Sequence, residues 1–375
     1  MIMEDEAIYE IIQDFLFLYF LVLIEHETKD EELKALLDSA NSFYVSIFSH
    51  ELINSKYCQK ELFDSNALAI IRTIRTSYLK NPPIANGKLI KKLKDSTGVD
   101  FDNFVFDSVV TVNKNNSNDL MCINFSDFLV YNSFENNAEA FNIITRIPAT
   151  VVDVFFKALG SDYSIFYNIM KAQMNSIFDY FCERFSFKRY SYSTSLMFKN
   201  SAISDEEKYF ILYRYNLVKF ALLIKELQPI SINNCVSISI DTNATYRKIK
   251  ALAIETIYND MKKLDFPINE KIKKNISDNI KDSRFFPTNR KLRNNIHYNK
   301  RDHLLNDEVD LLDEYQDVYL NSVLDVFNDY IDVSINRNYR FWKWVSEKTD
   351  FRFKEKMKQS GYKFMKFEDI FNEDY

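Results

Sequence analysis

The residues with the clearest chemical potential lie between Arg290 and His297, in the run Arg-Lys-Leu-Arg-Asn-Asn-Ile-His. If this run is helical, Arg293 lies one turn before His297 on the same face, and Arg290 returns to that face two turns before it. An imidazole transfers protons near pH 7, and a fixed guanidinium stabilises the charge of a pentacovalent phosphate. On RNA the 2′-hydroxyl can attack, so this chemistry needs no metal. The spacing is compatible with phosphodiester cleavage and also with an ordinary solvated helix surface.

The same run lies in the most basic part of the chain. Residues 271–301 include ten basic and two acidic residues, whereas residues 302–330 include nine acidic residues and no Lys or Arg. The net charge of the whole chain is −6, which argues against a general nucleic-acid binder. A local patch nevertheless dominates the field within a screening length of about 8 to 10 Å. The basic segment is therefore either a track for a phosphate backbone or the ion-pairing partner of the acidic helix that follows it.

The run from Leu292 to Tyr298 resembles the signature of the HEPN superfamily, in which an Arg, often followed by Asn, precedes a His late in an all-helical domain. Members are commonly metal-independent endoribonucleases of toxin–antitoxin, abortive-infection and CRISPR systems, and their paired motifs meet across a dimer cleft. Three residues lie between Arg293 and His297, which is fewer than is usual in the signature. Six residues lie between Arg290 and His297, but Arg290 is followed by Lys. Either arginine therefore fits the signature in part.

The resemblance implies a role for each residue of the motif. His297 would transfer the proton, Arg293 would be the transition-state cation, and Arg290 competes with Arg293 for that role. Asn294 would orient the site or donate a hydrogen bond to the phosphate. The residues expected to contact RNA around this centre are Lys291, Asn295, Tyr298, Lys300 and Arg301.

The function implied by the resemblance is that of a bacterial defence or toxin effector that cleaves RNA. Such an effector would act as a homodimer, without a cofactor, under the control of a regulatory or antitoxin partner. The alternative is a non-catalytic HEPN-like module that binds RNA, a nucleotide or a protein. A third interpretation is a scaffold in which the charge reversal only holds two helices together.

The elements that position these residues are expected to be helices. Only 4 Gly and 6 Pro occur among 375 residues, where average usage gives about 26 and 19, so loops with positive φ are scarce. This shortage excludes the dinucleotide fingerprint and the P-loop. A hydrophobic content of 46% and an aromatic content of 15% exclude a disordered chain.

Cysteine spacing and hydropathy suggest the compartment. The four cysteines lie more than 50 residues apart, so neither a zinc site nor a disulfide framework is expected, and a reducing cytoplasm is predicted. The longest apolar run, Phe15 to Ile24, has ten residues, which is too short to cross a bilayer. Acidic residues at positions 4, 5 and 6 argue against a signal peptide. We therefore predict no membrane association.

We predict a mainly α protein in two parts followed by an extension. Residues 1–147 are expected to form an N-terminal helical module with minor β or irregular structure. Residues 148–335 are expected to form a HEPN-like helical bundle, which is the part that the resemblance covers. Residues 336–375 are expected to form an aromatic and basic C-terminal extension, in which the aromatic residues either bind bases or close the core.

The N-terminal module is expected to begin with two or three helices in the first 75 residues. His26 and His50 lie near the ends of these helices without a nearby ligand cluster, so we interpret both as structural. Residues 81–98 are a candidate linker or exposed basic loop. Residues 109–112 and 125–131 are candidate short strands.

Later helices carry clearer boundary signals. Ser204 and Glu207 form a capping-box pattern that opens a helix to about Leu227. Another helix is expected over residues 246–264. Asn306 is expected to cap a long helix whose acidic first turn suits the helix dipole. Its buried stripe is predicted to comprise Val309, Leu312, Tyr315, Tyr319, Val323, Val326, Phe327 and Tyr330.

Overall fold

The computed structural model of the chain describes ten stretches, which are residues 2–27, 31–58, 62–79, 107–113, 116–123, 137–158, 187–193, 203–224, 242–296 and 304–331. Within them the chain forms nine helices and three strands. The mainly α fold predicted from the sequence is therefore confirmed. The helices are α1 (Ile2–Glu27), α2 (Glu31–Ile53), α3 (Ser65–Leu79), α4 (Asn137–Ala158), α5 (Asp205–Leu223), α6 (Thr242–Lys263), α7 (Pro267–Asn279), α8 (Phe285–Asn295) and α9 (Asn306–Tyr330). The strands are β1 (Asp107–Asn113), β2 (Asn116–Ile123) and β3 (Phe187–Ser193).

The N-terminal part begins with three helices, as the apolar spacing predicted. Apolar residues bury most of α1, including Phe15, Leu18 and Leu21, which are fully or almost fully inaccessible to solvent. Helix α1 packs against α2, α4 and α6. The apolar run of α1 therefore forms part of the protein core.

Helix α4 runs without interruption through residues 147 and 148, with Pro148 inside it. It packs against α1, α2 and α3. One continuous cluster of buried apolar side chains extends from Ile11 in α1 to Ile331 after α9. The boundary expected between residues 147 and 148 thus does not coincide with a break in secondary structure or in the core.

The three strands form one antiparallel sheet in the order β2-β1-β3. Strand β1 contains the candidate strand at residues 109–112, so that prediction is confirmed. Val110 of β1 pairs with Ile123 of β2 on one side and with Tyr190 of β3 on the other. Strand β3 was not predicted, and its pairing joins residues from both sides of the expected boundary. The predicted strand at 125–131, the linker at 81–98 and the extension at 336–375 lie outside the described residues.

Helix α5 begins with the predicted capping box. The backbone N–H of Glu207 donates to Ser204 Oγ at 3.2 Å, and the backbone N–H of Ser204 donates to Glu207 Oε2 at 3.3 Å. Glu207 Oε1 also accepts from the backbone N–H of Ile268 at 3.2 Å, so one carboxylate holds the starts of both α5 and α7. The helix ends at Leu223, before the predicted Leu227.

Helix α6 is joined to its neighbours by buried polar contacts. Asp14 of α1 accepts hydrogen bonds from Thr245 Oγ1 at 2.7 Å and from Lys248 Nζ at 2.8 Å. Arg214 of α5 donates from Nε to Asp260 Oδ2 at 2.5 Å, and both side chains are almost completely buried. Buried charges are tolerated when they are paired and hydrogen-bonded. These pairs fix α6 against α1 and α5.

Helix α9 begins at Asn306, but the residue that caps it is Leu305. The Glu308 carboxylate accepts a hydrogen bond from the backbone N–H of Leu305 at 2.8 Å. The predicted cap at Asn306 is therefore wrong, because Asn306 is already the first helical residue. Six of the eight residues of the predicted stripe are buried, whereas Val309 and Tyr315 are half-buried.

Candidate functional site

Helix α8 carries most of the motif singled out in the sequence. It includes Arg290, Lys291, Arg293, Asn294 and Asn295, so the helical conformation expected for this part of the run is confirmed. The chain leaves the helix at a buried Ile296. The remaining predicted site residues lie outside the described residues, and they are His297, Tyr298, Lys300 and Arg301.

A buried amide pair holds α8 between α6 and α9. Asn289 donates from Nδ2 to the carbonyl of Ala251 in α6 at 3.4 Å. Gln316 of α9 donates from Nε2 to Asn289 Oδ1 at 3.1 Å. Buried amides keep their hydrogen-bonding groups satisfied only in a narrow range of positions. The Asn289 contacts therefore fix the position of α8, and with it the direction of the arginines that follow.

Arg290 lies on the side of α8 that faces α6. Its Nε atom is 3.6 Å from Glu255 Oε1, and its guanidinium is 5.5 Å from the centroid of the Tyr258 ring. Lys262 Nζ lies 4.3 Å from the centroid of the same ring. A hydrogen bond from Lys262 lowers the pKa of the Tyr258 hydroxyl, and Arg290 acts in the same direction. Arg290 thus belongs to a mixed ionic and aromatic contact with α6.

Lys291 and Arg284 connect α8 to the start of α9. Lys291 Nζ is 2.8 Å from Glu308 Oε2, and Arg284 Nη1 is 3.7 Å from Asp307 Oδ2. The hydrogen bond from Lys291 lowers the pKa of the Glu308 carboxyl, and the backbone N–H of Leu305 contributes to this shift. Part of the charge reversal therefore stabilises the α8–α9 corner, which is what the ion-pairing interpretation expected. Lys291, predicted to contact RNA, takes part in this corner.

Arg293 has different surroundings from Arg290. Its Nη1 atom donates to Asn294 Oδ1 at 3.3 Å. Burial lowers the pKa of Arg75, the nearby charge of Arg293 lowers it further, and Glu51 acts in the opposite direction. Arg290 thus contacts Glu255 of α6, whereas Arg293 donates to Asn294 within α8, although the sequence placed both arginines on one face.

Arg75 belongs to a charged group at the ends of α2 and α3. Glu51 Oε1 lies 3.7 Å from Arg75 Nη2 and 3.7 Å from His50 Nδ1. The side chains of Glu51, Arg75 and His50 are 4%, 14% and 21% exposed. Asn54 Nδ2 lies 3.0 Å from His50 Nδ1. We call His50, Glu51 and Arg75 the Arg75 cluster.

Sequence reasoning did not find this cluster. His50 was interpreted as structural, and neither Glu51 nor Arg75 was singled out. A signal is present in the sequence, because Glu51 and Arg75 directly follow the apolar faces of α2 and α3, where buried residues such as Phe48 and Ile74 recur. A charged residue on an apolar face is informative, since buried charges are rare unless they are paired.

No group of three or more His, Cys, Asp or Glu side chains in the described part of the chain is arranged to hold a metal ion. None of the described helices is long and apolar enough to cross a membrane.

Comparison of the chain with protein-family models, curated proteins and solved structures gave no match. What the protein does must therefore be inferred from its own side chains.

Proposed function

We propose that this protein is a metal-independent endoribonuclease of the HEPN type that acts as a bacterial defence or toxin effector. Arg293 is the cation that stabilises the transition state, and His297 is the proton-transfer group. The observation that supports this proposal is the position of Arg293 in the last turn of α8, where its guanidinium donates to Asn294 Oδ1 at 3.3 Å. A half-buried guanidinium and an orienting amide therefore lie just before His297 in the chain.

The proposed reaction is a transesterification within RNA. The 2′-oxygen forms a bond to the adjacent phosphorus, and the bond from phosphorus to the 5′-oxygen of the next nucleotide breaks. The 2′-hydroxyl proton passes to a base, and the departing 5′-oxygen receives a proton. The products are a 2′,3′-cyclic phosphate and a 5′-hydroxyl. An imidazole serves these proton transfers, and a guanidinium stabilises the charge on the non-bridging oxygens.

The surroundings of the two arginines favour Arg293 for the catalytic role. Arg290 is paired with Glu255 and lies against the Tyr258 ring. Arg293 is half-buried, and its guanidinium donates to Asn294. Reduced access to water strengthens an electrostatic contact with the transition state. Asn294 fits the orienting role, because it accepts a hydrogen bond from the guanidinium that would bind the phosphate.

The proposed active form is a homodimer. The chain contains one copy of the motif, and the proton must be both removed from the 2′-oxygen and supplied to the 5′-oxygen. Two copies of the motif facing each other provide two imidazoles for these two transfers. RNA is then the substrate, and a regulatory or antitoxin partner is the expected means of restraint in the cell.

The test is cleavage of end-labelled RNA by the purified full-length protein. His297→Ala and Arg293→Ala are expected to lower the cleavage rate by about 100-fold or more, since both remove groups that act in the transition state. Arg284→Ala is the matched control, because Arg284 is an exposed arginine at the opposite end of α8. EDTA is expected to leave the rate unchanged, and mass spectrometry should detect the cyclic phosphate.

Two results would contradict the proposal. One is a wild-type rate of cleavage by the His297→Ala variant while its folding and dimerisation are intact. The other is recovery of intact RNA from a complex whose affinity falls steeply with salt, which would instead assign the chain to the non-catalytic binding modules.

A further inference from the structure

Two cationic side chains converge on one aromatic ring where α6 packs against α8. Lys262 Nζ lies 4.3 Å and the Arg290 guanidinium 5.5 Å from the centroid of the Tyr258 ring. The ring itself packs against Phe286 of α8, with 5.7 Å between the two ring centroids. The packing of the two helices therefore determines where both cations lie. We call Tyr258, Lys262 and Arg290 the Tyr258 surface.

The Tyr258 surface is positively charged and open to solvent. Lys262 and Arg290 are both exposed. Their distances from the shared ring place the two charges within about 10 Å of each other, which is about one screening length, so their fields add. The pKa of the Tyr258 hydroxyl is lowered, mainly by a hydrogen bond from Lys262 and further by Arg290. This is the direction expected in a positive potential.

One carboxylate does not neutralise these two cations. Glu255 Oε1 lies 3.6 Å from Arg290 Nε, which is longer than an ordinary hydrogen bond. A guanidinium has five N–H donors, and the Arg290 side chain is 48% exposed, so its other donors can reach a ligand. Lys262 is held by the Tyr258 ring rather than by a carboxylate of the described residues. The remaining positive charge fits an anionic ligand.

Helix α8 connects the Tyr258 surface to the predicted catalytic motif. Arg290 precedes Asn294 by four residues, so the two lie on one side of α8, about 6 Å apart along its axis. Asn294 Oδ1 in turn accepts the hydrogen bond from Arg293 Nη1. A strand bound at Arg293 and Asn294 can therefore continue along α8 to Arg290, and from there to Tyr258 and Lys262.

We propose that the Tyr258 surface binds phosphate groups of single-stranded RNA beside the link that is cleaved. The inference rests on the proposed ribonuclease function. Lys262 and Arg290 donate to phosphate oxygens, and Tyr258 is a positioning residue whose ring holds both cations. Basic side chains grouped around an aromatic ring are typical of surfaces that bind single-stranded nucleic acid. Arg290, which competed with Arg293 for the catalytic role, is thereby assigned to substrate binding.

The first experiment uses fluorescence anisotropy to measure binding of a single-stranded 2′-O-methyl RNA, which cannot be cleaved by attack of its 2′-oxygen. Lys262→Gln and Arg290→Gln are each expected to weaken binding by about three- to ten-fold, because each removes a charge-assisted contact with phosphate. Each is also expected to reduce the slope of log affinity against log salt by about 0.7. The matched controls are Lys157→Gln and Arg72→Gln, which change exposed cations of α4 and α3. Their affinities are expected to stay within about two-fold of wild type.

Substitutions of Tyr258 test its positioning role. Tyr258→Phe keeps the ring and is expected to bind the RNA within about two-fold of wild type. Tyr258→Leu removes the ring and is expected to weaken binding by about three-fold or more, with a smaller effect when Lys262 and Arg290 are already replaced by Gln. Equal affinity for Tyr258→Leu and the wild type would overturn the positioning role.

Steady-state kinetics with cleavable RNA separate the role of Arg290 from catalysis. A residue that only binds substrate raises KM, so Arg290→Gln is expected to keep kcat within about three-fold of wild type. A fall of about 100-fold or more in kcat at saturating RNA would overturn the inference, because Arg290 would then act in the transition state.

The outcomes distinguish this inference from the proposed function. Cleavage by the wild type, with equal RNA affinity for the Lys262→Gln and Arg290→Gln variants and the controls, would overturn the role of the Tyr258 surface and leave the ribonuclease proposal intact. Binding of the uncleavable RNA that depends on Lys262 and Arg290, without cleavage of ordinary RNA, would support the surface and overturn the ribonuclease. Equal affinity for poly-glutamate and for RNA would overturn the assignment of the ligand as RNA.

Discussion

Asp260→Asn is the most direct test of how the helices that hold the site are fixed. The substitution keeps the shape of the side chain but removes the charge that balances Arg214 between α5 and α6. Arg214 and Asp260 are 0% and 2% exposed, and Arg214 Nε is 2.5 Å from Asp260 Oδ2. Removing one partner of such a pair leaves an uncompensated buried charge. We therefore expect the free energy of unfolding to fall by about 3 to 5 kcal/mol.

A double variant shows whether the loss comes from the stranded charge. Arg214→Met combined with Asp260→Leu removes both ionic groups and replaces them with apolar side chains of similar volume. Such replacements of buried ion pairs are often neutral or stabilising. The double variant is therefore expected to recover most of the loss caused by Asp260→Asn.

The assay is urea unfolding followed by circular dichroism at pH 7, with Asp153→Asn as the control. Asp153 pairs with Lys157 at 2.6 Å on the exposed face of α4. This control is expected to lose only about 0.3 to 0.5 kcal/mol, since water screens an exposed pair. Equal losses for Asp260→Asn and Asp153→Asn would refute the reasoning, because burial would then make no difference to the cost of removing a carboxylate.

Two further predictions concern α8. Asn289→Ala removes the acceptor of the hydrogen bond from Gln316 and the donor of the hydrogen bond to α6. We expect the free energy of unfolding, measured in urea, to fall by about 1 to 3 kcal/mol. An unchanged unfolding midpoint would contradict the role given to Asn289. The pKa of Glu308 is lowered in the folded protein, so its pair with Lys291 stabilises the fold above the ordinary glutamate pKa of about 4.5. This stabilisation is lost as the pH falls through the lowered pKa of the folded state. Lys291→Met should therefore flatten the decline of the unfolding midpoint below about pH 4.5, and an unchanged slope would count against the pair.

Local chemistry made several elements predictable. The capping box at Ser204 and Glu207 depends only on residues three apart, and the structure forms both of its hydrogen bonds. The apolar spacing of α9 likewise identified most of its buried stripe. The cap at Asn306 was wrong because Glu308 accepts the backbone hydrogen bond of Leu305, so the helix begins at Asn306 rather than after it. Residue preferences alone do not show which of two neighbouring polar side chains, Asn306 or Glu308, will bond to the backbone at the start of the helix.

Long-range contacts account for what the sequence did not predict. Strand β3 forms only by pairing with β1, which precedes it by about 80 residues in the sequence. A domain boundary was expected between residues 147 and 148, whereas α4 is continuous through Pro148 and packs against α1 and α2. Helix propensity is a weak constraint that tertiary packing overrides.

The candidate site shows the same limit. The motif on α8 was identified by spacing, and its helical conformation was predictable. The Arg75 cluster was not predictable, because His50 and Glu51 meet Arg75 only after α2 and α3 have packed together. More than 20 residues separate Glu51 from Arg75 in the sequence. A charge on an apolar face indicates that a partner exists, but it does not indicate which residue that partner is.

The buried contact between Asp14 and Lys248 has a consequence for synthesis of the chain. The two residues are 234 positions apart, so the first helix leaves the ribosome long before its ionic partner is made. At about 5 to 20 residues per second this interval lasts about 10 to 50 s. During that time α1 can pack against α2 and α4, which are made before α6. The ionic contact of Asp14 therefore joins α6 to helices that have already left the ribosome.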